Sequence, residues 1–409
     1  MTDTGIHQTL KSSRIEILLL FMLYLFILPR AYMEYDMGFW REWALLIHHN
    51  GLANAYNSTI NYFPVYVYAL YIYDALQGTE ANIINHINSI KILFVFFDFL
   101  PVFVLCCFRQ RILSFKIPYL YLLLNIAYVF NSMVWGQIDS IYTNLCFLAI
   151  VTGFVYPVIS VSLYTLALYT KPQAIEFIPV LALVWLYSLN SIKRVIAAIA
   201  ASGAIQLVLL LPFLFNGGVA KLAWHASHSV GLYNKLSICA FNLWYIIEPK
   251  NPYFINDNDV YFLLSYRVIG LLLFSAATAF VFFPLTKRIW QARQAAAPVT
   301  TALWQQVFLG TGLICLYFFY FNSQMHERYA NPIIIFFFFY GAASKNYWLY
   351  ALASIPYFLS LDKCFPDYLP IVHYKFIFAS RIIAIWYTAT VIYGTYLYWQ
   401  LSKKTLQAI

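Results

Sequence analysis

The sequence contains few charged side chains for its length. Asp, Glu, Lys and Arg make up 10% of its 409 residues, whereas about a quarter is usual for soluble globular domains. A water-soluble protein of this size needs many more charges to cover its surface. This scarcity excludes a cytosolic enzyme, a disordered protein and a nucleic-acid binder. The hydrophobic fraction of 62% instead indicates a membrane protein.

Cysteine is also sparse, with six residues. Four of them lie in apolar runs, and only Cys239 and Cys364 fall in predicted loops. Their spacing leaves open whether these two residues form a disulfide. The net charge of +9 is interpreted as basic loops on the cytoplasmic side of a membrane, since Lys and Arg are enriched there.

Apolar runs predict about twelve membrane helices, each of which needs about 20 residues to cross. The first run, 15–28, is predicted to remain as a membrane helix. Segments 39–50 and 64–77 are rich in Trp and Tyr, and we expect them to lie at the interface without crossing. The predicted spans are 14–33, 88–108, 117–131, 140–156, 158–170, 174–190, 195–215, 259–285, 303–321, 331–344, 347–361 and 374–399.

The distribution of basic residues sets the predicted orientation. If the N-terminus is cytosolic and 64–77 does not cross, six inner loops are basic, and together they contain no acidic residue apart from Asp3. Two long loops, 34–87 and 216–258, then face outward. The sequence predicts one all-α polytopic domain over 1–409 without a separate soluble domain. The plasma membrane is the expected location, and the endoplasmic reticulum membrane is the alternative.

Acidic and aromatic residues cluster at the outer ends of the predicted spans. Polar groups are costly in hydrocarbon, so such clusters are candidate functional sites. Glu34 and Asp36 follow the first span, and Asp36 is a candidate general base for a hydroxyl nucleophile. Trp135, Gln137 and Asp139 precede a later span, a mixture that suits a sugar ring, and Asp139 is a further candidate base. The alternative is that Asp36 and Asp139 cap the helices that follow them.

A third motif, Lys171-Pro172-Gln173, lies at the outer end of another apolar run. Proline ends the preceding helix, and a lysine beside it can bind a phosphate as a point charge. Gln173 is included as a candidate substrate ligand. The alternative is a lysine that only snorkels from a helix end toward the interface.

The fourth motif, His326-Glu327-Arg328-Tyr329, places four polar or titratable side chains between two apolar spans. Arg328 can bind two phosphate oxygens at once, and His326 can protonate a leaving oxygen. Glu327 and Tyr329 are included as candidate substrate ligands. Because Glu327 is adjacent in sequence, we expect it to point away and leave Arg328 available. The alternative is a solvated connector.

Several further residues are weaker candidates. Two histidines three residues apart could ligate a metal, although no acidic residue or cysteine is close to them in sequence. Two arginines in apolar runs could bind lipid headgroups, and a lysine and an aspartate lie two turns apart on one helix. These residues are His225 and His228, Arg267 and Arg381, and Lys91 and Asp98.

Together the four motifs resemble those of the polytopic GT-C glycosyltransferases, which use a polyprenyl- or dolichyl-phosphate sugar. The branch that the chain resembles most contains mannosyltransferases related to the second mannosyltransferase of GPI-anchor synthesis. The resemblance rests on Asp36 and on segments 62–66, 135–139, 171–173 and 326–329, whose order and spacing extend over about 300 residues of the chain. It implies a GT-C fold with interfacial helices in the first outer loop and a lipid carrier bound between helices.

The resemblance also implies a mechanism. The acidic residue of the first outer loop, Asp36, is the expected base, with Glu34 as its nearest alternative. Arg328 and Lys171 would stabilise the negative charge that grows on the departing lipid phosphate. The expected reaction transfers a hexose, with mannose as the leading candidate, and inverts the configuration at its anomeric carbon. The acceptor is a hydroxyl of a lipid-linked glycan, a glycan or a protein. A monophosphate with two basic partners needs no metal, so no cofactor is expected.

Two other classes of function remain open. A secondary transporter also has about twelve spans, but such folds usually contain paired halves and helices broken at mid-membrane. A non-enzymatic subunit that binds lipid-linked sugars is the other alternative. The polar motifs lie at the outer ends of spans, which favours an enzyme working at the interface.

Overall fold

A computed structural model describes residues 3–30, 34–113, 115–228, 231, 233–364 and 379–407. Helices account for 79% of the chain, which confirms the predicted all-α class. The α-helices are α1 (Asp3–Ile27), α2 (Glu34–Asn50), α3 (Pro64–Gln77), α4 (Glu80–Asn85), α5 (Lys91–Ile112), α6 (Tyr119–Leu123), α7 (Ile126–Val129), α8 (Asp139–Gly153), α9 (Pro157–Leu168), α10 (Ile178–Ser188), α11 (Ile192–Leu210), α12 (Gly218–His228), α13 (Trp244–Ile247), α14 (Tyr266–Gln294), α15 (Thr301–Phe321), α16 (Asn331–Ser344), α17 (Trp348–Cys364) and α18 (Ser380–Gln407).

Short turns and strands connect these helices. Strand β1 (Ser237–Ile238) pairs in parallel with β4 (Met325–His326), and β2 (Val260–Tyr261) pairs antiparallel with β3 (Leu264–Ser265). One π-helical turn covers Phe130–Trp135. The 3₁₀ turns are Leu28–Arg30, Leu52–Asn57, Ile87–Ile90, Pro172–Phe177, Leu211–Phe213, Pro252–Phe254 and Glu327–Ala330.

Within the described ranges, four helical segments are long and apolar enough to cross a membrane: Ile87–Phe108, Ile192–Phe213, Tyr266–Gln294 and Thr301–Phe321. The most apolar windows of the second and third are only 11% and 17% buried within the protein. Apolar faces that the protein does not cover are consistent with contact with lipid. Thr301–Phe321 is 83% buried by the same measure, so other helices surround it.

The predicted span 117–131 is not one continuous helix. It is divided into α6, α7 and the start of the π turn. The side chain of Asn125 accepts a hydrogen bond from the backbone N–H of Ala127 at 2.9 Å. This bond replaces a helical one and restarts the chain in a new turn.

The predicted span 259–285 begins later than expected. Strands β2 and β3 form a short hairpin ahead of it, and α14 starts at Tyr266. Ser265 sets this boundary, because its hydroxyl accepts a hydrogen bond from the backbone N–H of Val268 and so caps the helix.

The described chain forms two compact units. The first comprises Met1–Leu113, Val129–Ile175 and Ser188–Ser229, and the second comprises Ser114–Tyr128, Glu176–Tyr187 and Val230–Ile409. In the first unit every residue of α8 is buried, and α8 packs against α5 and α9. In the second unit α16 is buried almost throughout and packs against α15 and α17. Helices that are apolar on all sides are expected to occupy such central positions.

The predicted interfacial segment 64–77 coincides with α3. This helix has 14 residues, the same number as α16, so its length does not distinguish an interfacial helix from a span. It packs against α2, and Nδ1 of His48 lies 2.7 Å from Oδ1 of Asp74. The interfacial placement of α3 stays a prediction.

We expect a cysteine placed at Glu80 to react with a membrane-impermeant thiol reagent added from outside intact cells. The Glu80 side chain is 54% exposed, and it follows α3 on the predicted outer side. Asp74 is a poorer position because it is buried against His48. A cysteine at Lys193, in a predicted inner loop, should react only after permeabilisation. The opposite pattern at the two positions would make α3 a membrane span and invert the topology.

Candidate active site

The Trp135–Asp139 motif adopts an irregular backbone. The π turn ends at Gly136, whose φ is +81°, a conformation that glycine adopts readily. The backbone N–H of Gln137 donates to the carbonyl oxygen of Asn131 at 2.9 Å. Irregular turns of this kind are frequent at functional sites. Here the turn directs the side chains of Trp135 and Gln137 to one partner.

That partner is Asp36, in the first turn of α2. Trp135 Nε1 donates to Asp36 Oδ2 at 2.5 Å, and Gln137 Nε2 donates to the same oxygen. The other carboxylate oxygen, Oδ1, makes no hydrogen bond with any described residue. Residues from two predicted motifs, 99 positions apart, therefore meet at one half-buried carboxylate.

Glu34, the alternative base, has a different environment. Its carboxylate pairs with Arg41, which lies about two turns further along the same face of α2. The Glu34 side chain is 57% exposed. Of the two acidic residues, only Asp36 contacts Trp135 and Gln137. The geometry therefore favours Asp36 over Glu34.

Aromatic rings border this carboxylate. Trp40 Nε1 donates to the carbonyl oxygen of Gly136 at 2.8 Å, which fixes the irregular turn to α2. The Trp40 ring lies 4.7 Å from Tyr66 and 5.1 Å from Tyr62, centroid to centroid. Asp36, Trp40, Tyr66, Trp135 and Gln137 are called the Asp36 cluster below.

Two polar atoms of this cluster are buried without a hydrogen-bond partner among the described residues. They are the hydroxyl oxygen of Tyr66 and Oε1 of Gln137. Burial raises the pKa of the Tyr66 phenol well above its usual value, and the Tyr62 and Asp36 groups raise it further. The hydroxyl thus keeps its proton and remains a donor. Sequence reasoning included Tyr66 only as part of the family motif and assigned it no role.

Lys91 and Asp98 support the π turn. Both are buried on the Ile87–Phe108 segment. Lys91 Nζ donates to the carbonyl oxygen of Val134 at 3.1 Å, and the Ser132 hydroxyl donates to Asp98. Both residues therefore position the turn that carries Trp135 and Gln137.

Asp139 and Lys171, predicted to act separately, form an ion pair. Their charged atoms lie 2.5 Å apart, and their side chains are 0% and 7% exposed. Lys171 Nζ also lies 5.6 Å from the centre of the Tyr142 ring. Gln173, in the following 3₁₀ turn, has its Oε1 buried without a partner among the described residues. The Lys171 charge is therefore balanced within the protein.

We expect Gly136→Ala to destabilise the protein and to lower its activity. A Cβ atom at this position would lie 2.5 Å from Met37 Sδ and 3.1 Å from Lys91 Cε, and both residues are fully buried. The matched control is Gly78→Ala, because Gly78 also has positive φ but nothing within 4 Å of its Cβ position. Gly78→Ala should cost only the backbone strain, about 1–2 kcal/mol. Equal melting temperatures for the two variants would show that the turn tolerates a side chain.

The His326–Tyr329 motif lies in the second unit. His326 is buried, and its ring packs edge-on against Tyr233 and Tyr329, with centroids 5.3 Å and 5.2 Å away. Arg328 Nη1 lies 3.2 Å from Glu327 Oε1. The expectation that Glu327 points away from Arg328 is therefore wrong. It assumed helical geometry for both residues, whereas Glu327 directly follows β4 and opens a 3₁₀ turn.

Two cysteines adjoin Glu327. Cys239 and Cys364 are both free thiols, and their sulfur atoms and a Glu327 oxygen all lie within 4.8 Å of one another. The hydrogen bond with Cys364 lowers the pKa of the Cys239 thiol. Cys239, Glu327, Arg328 and Cys364 are called the Glu327 cluster below. Nothing in the sequence spacing indicates that these residues meet.

The weaker candidates have local partners. Arg267 pairs with Asp257 at 3.0 Å, and Arg381 donates to two backbone carbonyl oxygens at 3.1 Å. His225 and His228 belong to no group of three potential metal ligands among the described residues.

The residues predicted from the sequence thus fall into two groups. The first unit contains Asp36, Trp135 and Gln137 together with the Asp139–Lys171 pair, and the second contains the His326–Tyr329 motif. No protein-family model and no curated protein matches the chain.

Proposed function

We propose that this protein is a polytopic membrane glycosyltransferase of the GT-C type. It would move a hexose from a polyprenyl-phosphate donor to an acceptor hydroxyl, with inversion, at the outer membrane face. The twelve-span topology and the GT-C fold are parts of this proposal. The main support is the Asp36 cluster, in which two side chains of a separate motif hold one oxygen of the proposed base.

The hydrogen bonds to Asp36 suit a general base. Trp135 and Gln137 both donate to Oδ2, which restricts rotation of the carboxylate. Oδ1 then has a defined direction for accepting a proton from an acceptor hydroxyl. Such fixed geometry is what general-base catalysis requires.

The other members of the cluster suit a sugar. Trp40 and Trp135 are buried, and the Tyr66 hydroxyl and Gln137 Oε1 are buried polar atoms without partners among the described residues. A buried unsatisfied polar atom costs about 1–3 kcal/mol. Sugar hydroxyls or ordered water molecules are partners that would remove this cost.

The donor phosphate needs a cation. Lys171 is paired with Asp139, and its side chain is 7% exposed, whereas that of Arg328 is 14% exposed. A guanidinium can bind a carboxylate and a phosphate at once through different N–H groups. Arg328 is therefore the preferred phosphate ligand, and Lys171 is the second.

Arg328→Ala is expected to weaken binding of polyprenyl phosphate by roughly 10- to 100-fold, because charged hydrogen bonds contribute about 1.5–3 kcal/mol. Arg328→Lys should recover only part of the affinity, since the single ammonium charge of lysine cannot replace the two parallel N–H donors of the planar guanidinium. Affinity is measured by thermal-shift titration with polyprenyl phosphate and with the phosphate-free alcohol. Arg293→Ala, in a predicted inner loop, is the matched control. Unchanged affinity in both Arg328→Ala and Lys171→Ala would place the phosphate elsewhere.

One observation favours the transporter alternative: Asp98 is buried within a segment able to span a membrane, and such residues often line ion pathways. Its contact with Ser132 instead supports a role in positioning the π turn. Substrate flux across proteoliposomes without sugar release would favour transport, whereas sugar release without flux would favour the enzyme.

A further inference from the structure

Three separate chain segments bring potential metal ligands together in the second unit. Cys239 directly follows β1, Glu327 follows β4, and Cys364 ends α17. Strands β1 and β4 are paired, and a further backbone bridge joins Cys239 to His326. The backbone therefore fixes two of the three ligands relative to each other.

The distances between these ligand atoms suit one metal ion. Cys364 Sγ lies 3.6 Å from Glu327 Oε2, and all three ligand atoms lie within 4.8 Å of one another. Zinc–sulfur and zinc–oxygen bonds of about 2.3 and 2.0–2.2 Å give ligand–ligand distances of roughly 3.5–3.8 Å in a tetrahedron. A small contraction of the cluster would thus enclose a zinc ion.

The charges of the cluster also suit a divalent cation. Glu327 is 3% exposed, and its Oε1 pairs with Arg328 while Oε2 accepts from Cys364. If a zinc ion replaces both thiol protons, the ion and two thiolates sum to zero charge, and Glu327 with Arg328 also sums to zero.

We propose that Cys239, Glu327 and Cys364 bind one Zn²⁺ ion. Binding releases two thiol protons to solvent, and a water molecule fills the fourth position. The ion joins the ends of β1 and α17 to the Glu327–Arg328 turn, and Arg328 pairs with the Glu327 oxygen that does not contact Cys364, as outer partners of metal ligands do. The site adjoins Arg328, the proposed phosphate ligand, but no metal is expected to take part in the sugar transfer itself.

The test uses reduced full-length protein in detergent, dialysed with Zn²⁺ and then against metal-free buffer. We expect about one bound zinc per chain by elemental analysis, as for a three-ligand zinc site. Cys239→Ser and Cys364→Ser should each weaken zinc binding by more than roughly 100-fold, because even outer partners contribute 10–100-fold. Cys107→Ser, at an exposed cysteine outside the cluster, is the matched control and should bind like wild type.

A second measurement does not require the variants to fold. Co²⁺ added to the wild-type protein should give the thiolate-to-metal absorption and the intense visible bands of a tetrahedral site. Absence of these bands and of retained zinc would overturn the proposal. Equal zinc retention in the cysteine variants would do the same. A Cys239–Cys364 disulfide in protein isolated without reductant, found by peptide mass spectrometry, would also contradict it and identify a redox pair instead.

Discussion

Asp36→Asn is expected to lower the rate of sugar transfer by roughly 10²- to 10⁴-fold, the usual contribution of a general base. Asparagine keeps the shape of the side chain, and its amide oxygen can still accept from Trp135 and Gln137. It cannot take a proton from the acceptor hydroxyl. Donor affinity and melting temperature should therefore remain close to wild type, while turnover falls. Turnover is measured with a radiolabelled polyprenyl-phosphate hexose.

The matched control for this variant is Glu34→Gln. Glu34 is two residues away on the same helix, and its exposed carboxylate pairs with Arg41. Its loss should change turnover by less than a factor of about three, since surface substitutions have small effects. If Asp36→Asn retains nearly full turnover, the base must be Glu34 or Asp139.

Lys171→Met is expected to destabilise the protein by about 3–5 kcal/mol, because it leaves a buried carboxylate without its partner. Asp139 is fully buried and Lys171 nearly so. The double variant Asp139→Asn with Lys171→Met removes both charges and should recover much of the loss. Stability is measured by denaturant unfolding of purified protein in detergent micelles.

The exposed pair Glu34–Arg41 provides the comparison for this buried pair. Arg41→Met should change stability by only about 0–1 kcal/mol, as is typical of surface ion pairs. If the Lys171→Met variant is as stable as Arg41→Met, the Asp139–Lys171 pair does not hold the first unit together. A double variant no more stable than Lys171→Met would show that the two charges are not coupled.

Hydropathy predicts the helical elements well where proline or glycine also marks the ends of an apolar run. The bounds of α3 and α16 agree with the predicted segments 64–77 and 331–344. Pro64 and Gly78 flank the first, and Pro332 opens the second. The division of 117–131 could not be predicted, because it depends on a hydrogen bond that the Asn125 side chain accepts from the backbone N–H of Ala127 within an apolar run.

The candidate site shows the same contrast. The motifs identify the polar side chains, since scarcity of charge makes each one conspicuous. The pairing of those side chains is a property of the folded chain. Asp36 meets Trp135 because of a π turn, and Glu327 meets Arg328 because of a 3₁₀ turn. Neither turn has a clear sequence signal. The sequence also contained no indication of the ion pair between Asp139 and Lys171, to which separate roles were assigned.

The most direct test of the proposed function is sugar release by purified protein in detergent. The substrate is a polyprenyl-phosphate hexose, and the mannose donor is tested first. It is incubated with membrane lipid extract as a source of acceptors. We predict that wild-type protein transfers the labelled sugar and forms an equal amount of free polyprenyl phosphate, and that Asp36→Asn does neither. Intact donor after incubation with folded wild-type protein that binds it would contradict the enzyme and favour a lipid-linked-sugar binding subunit.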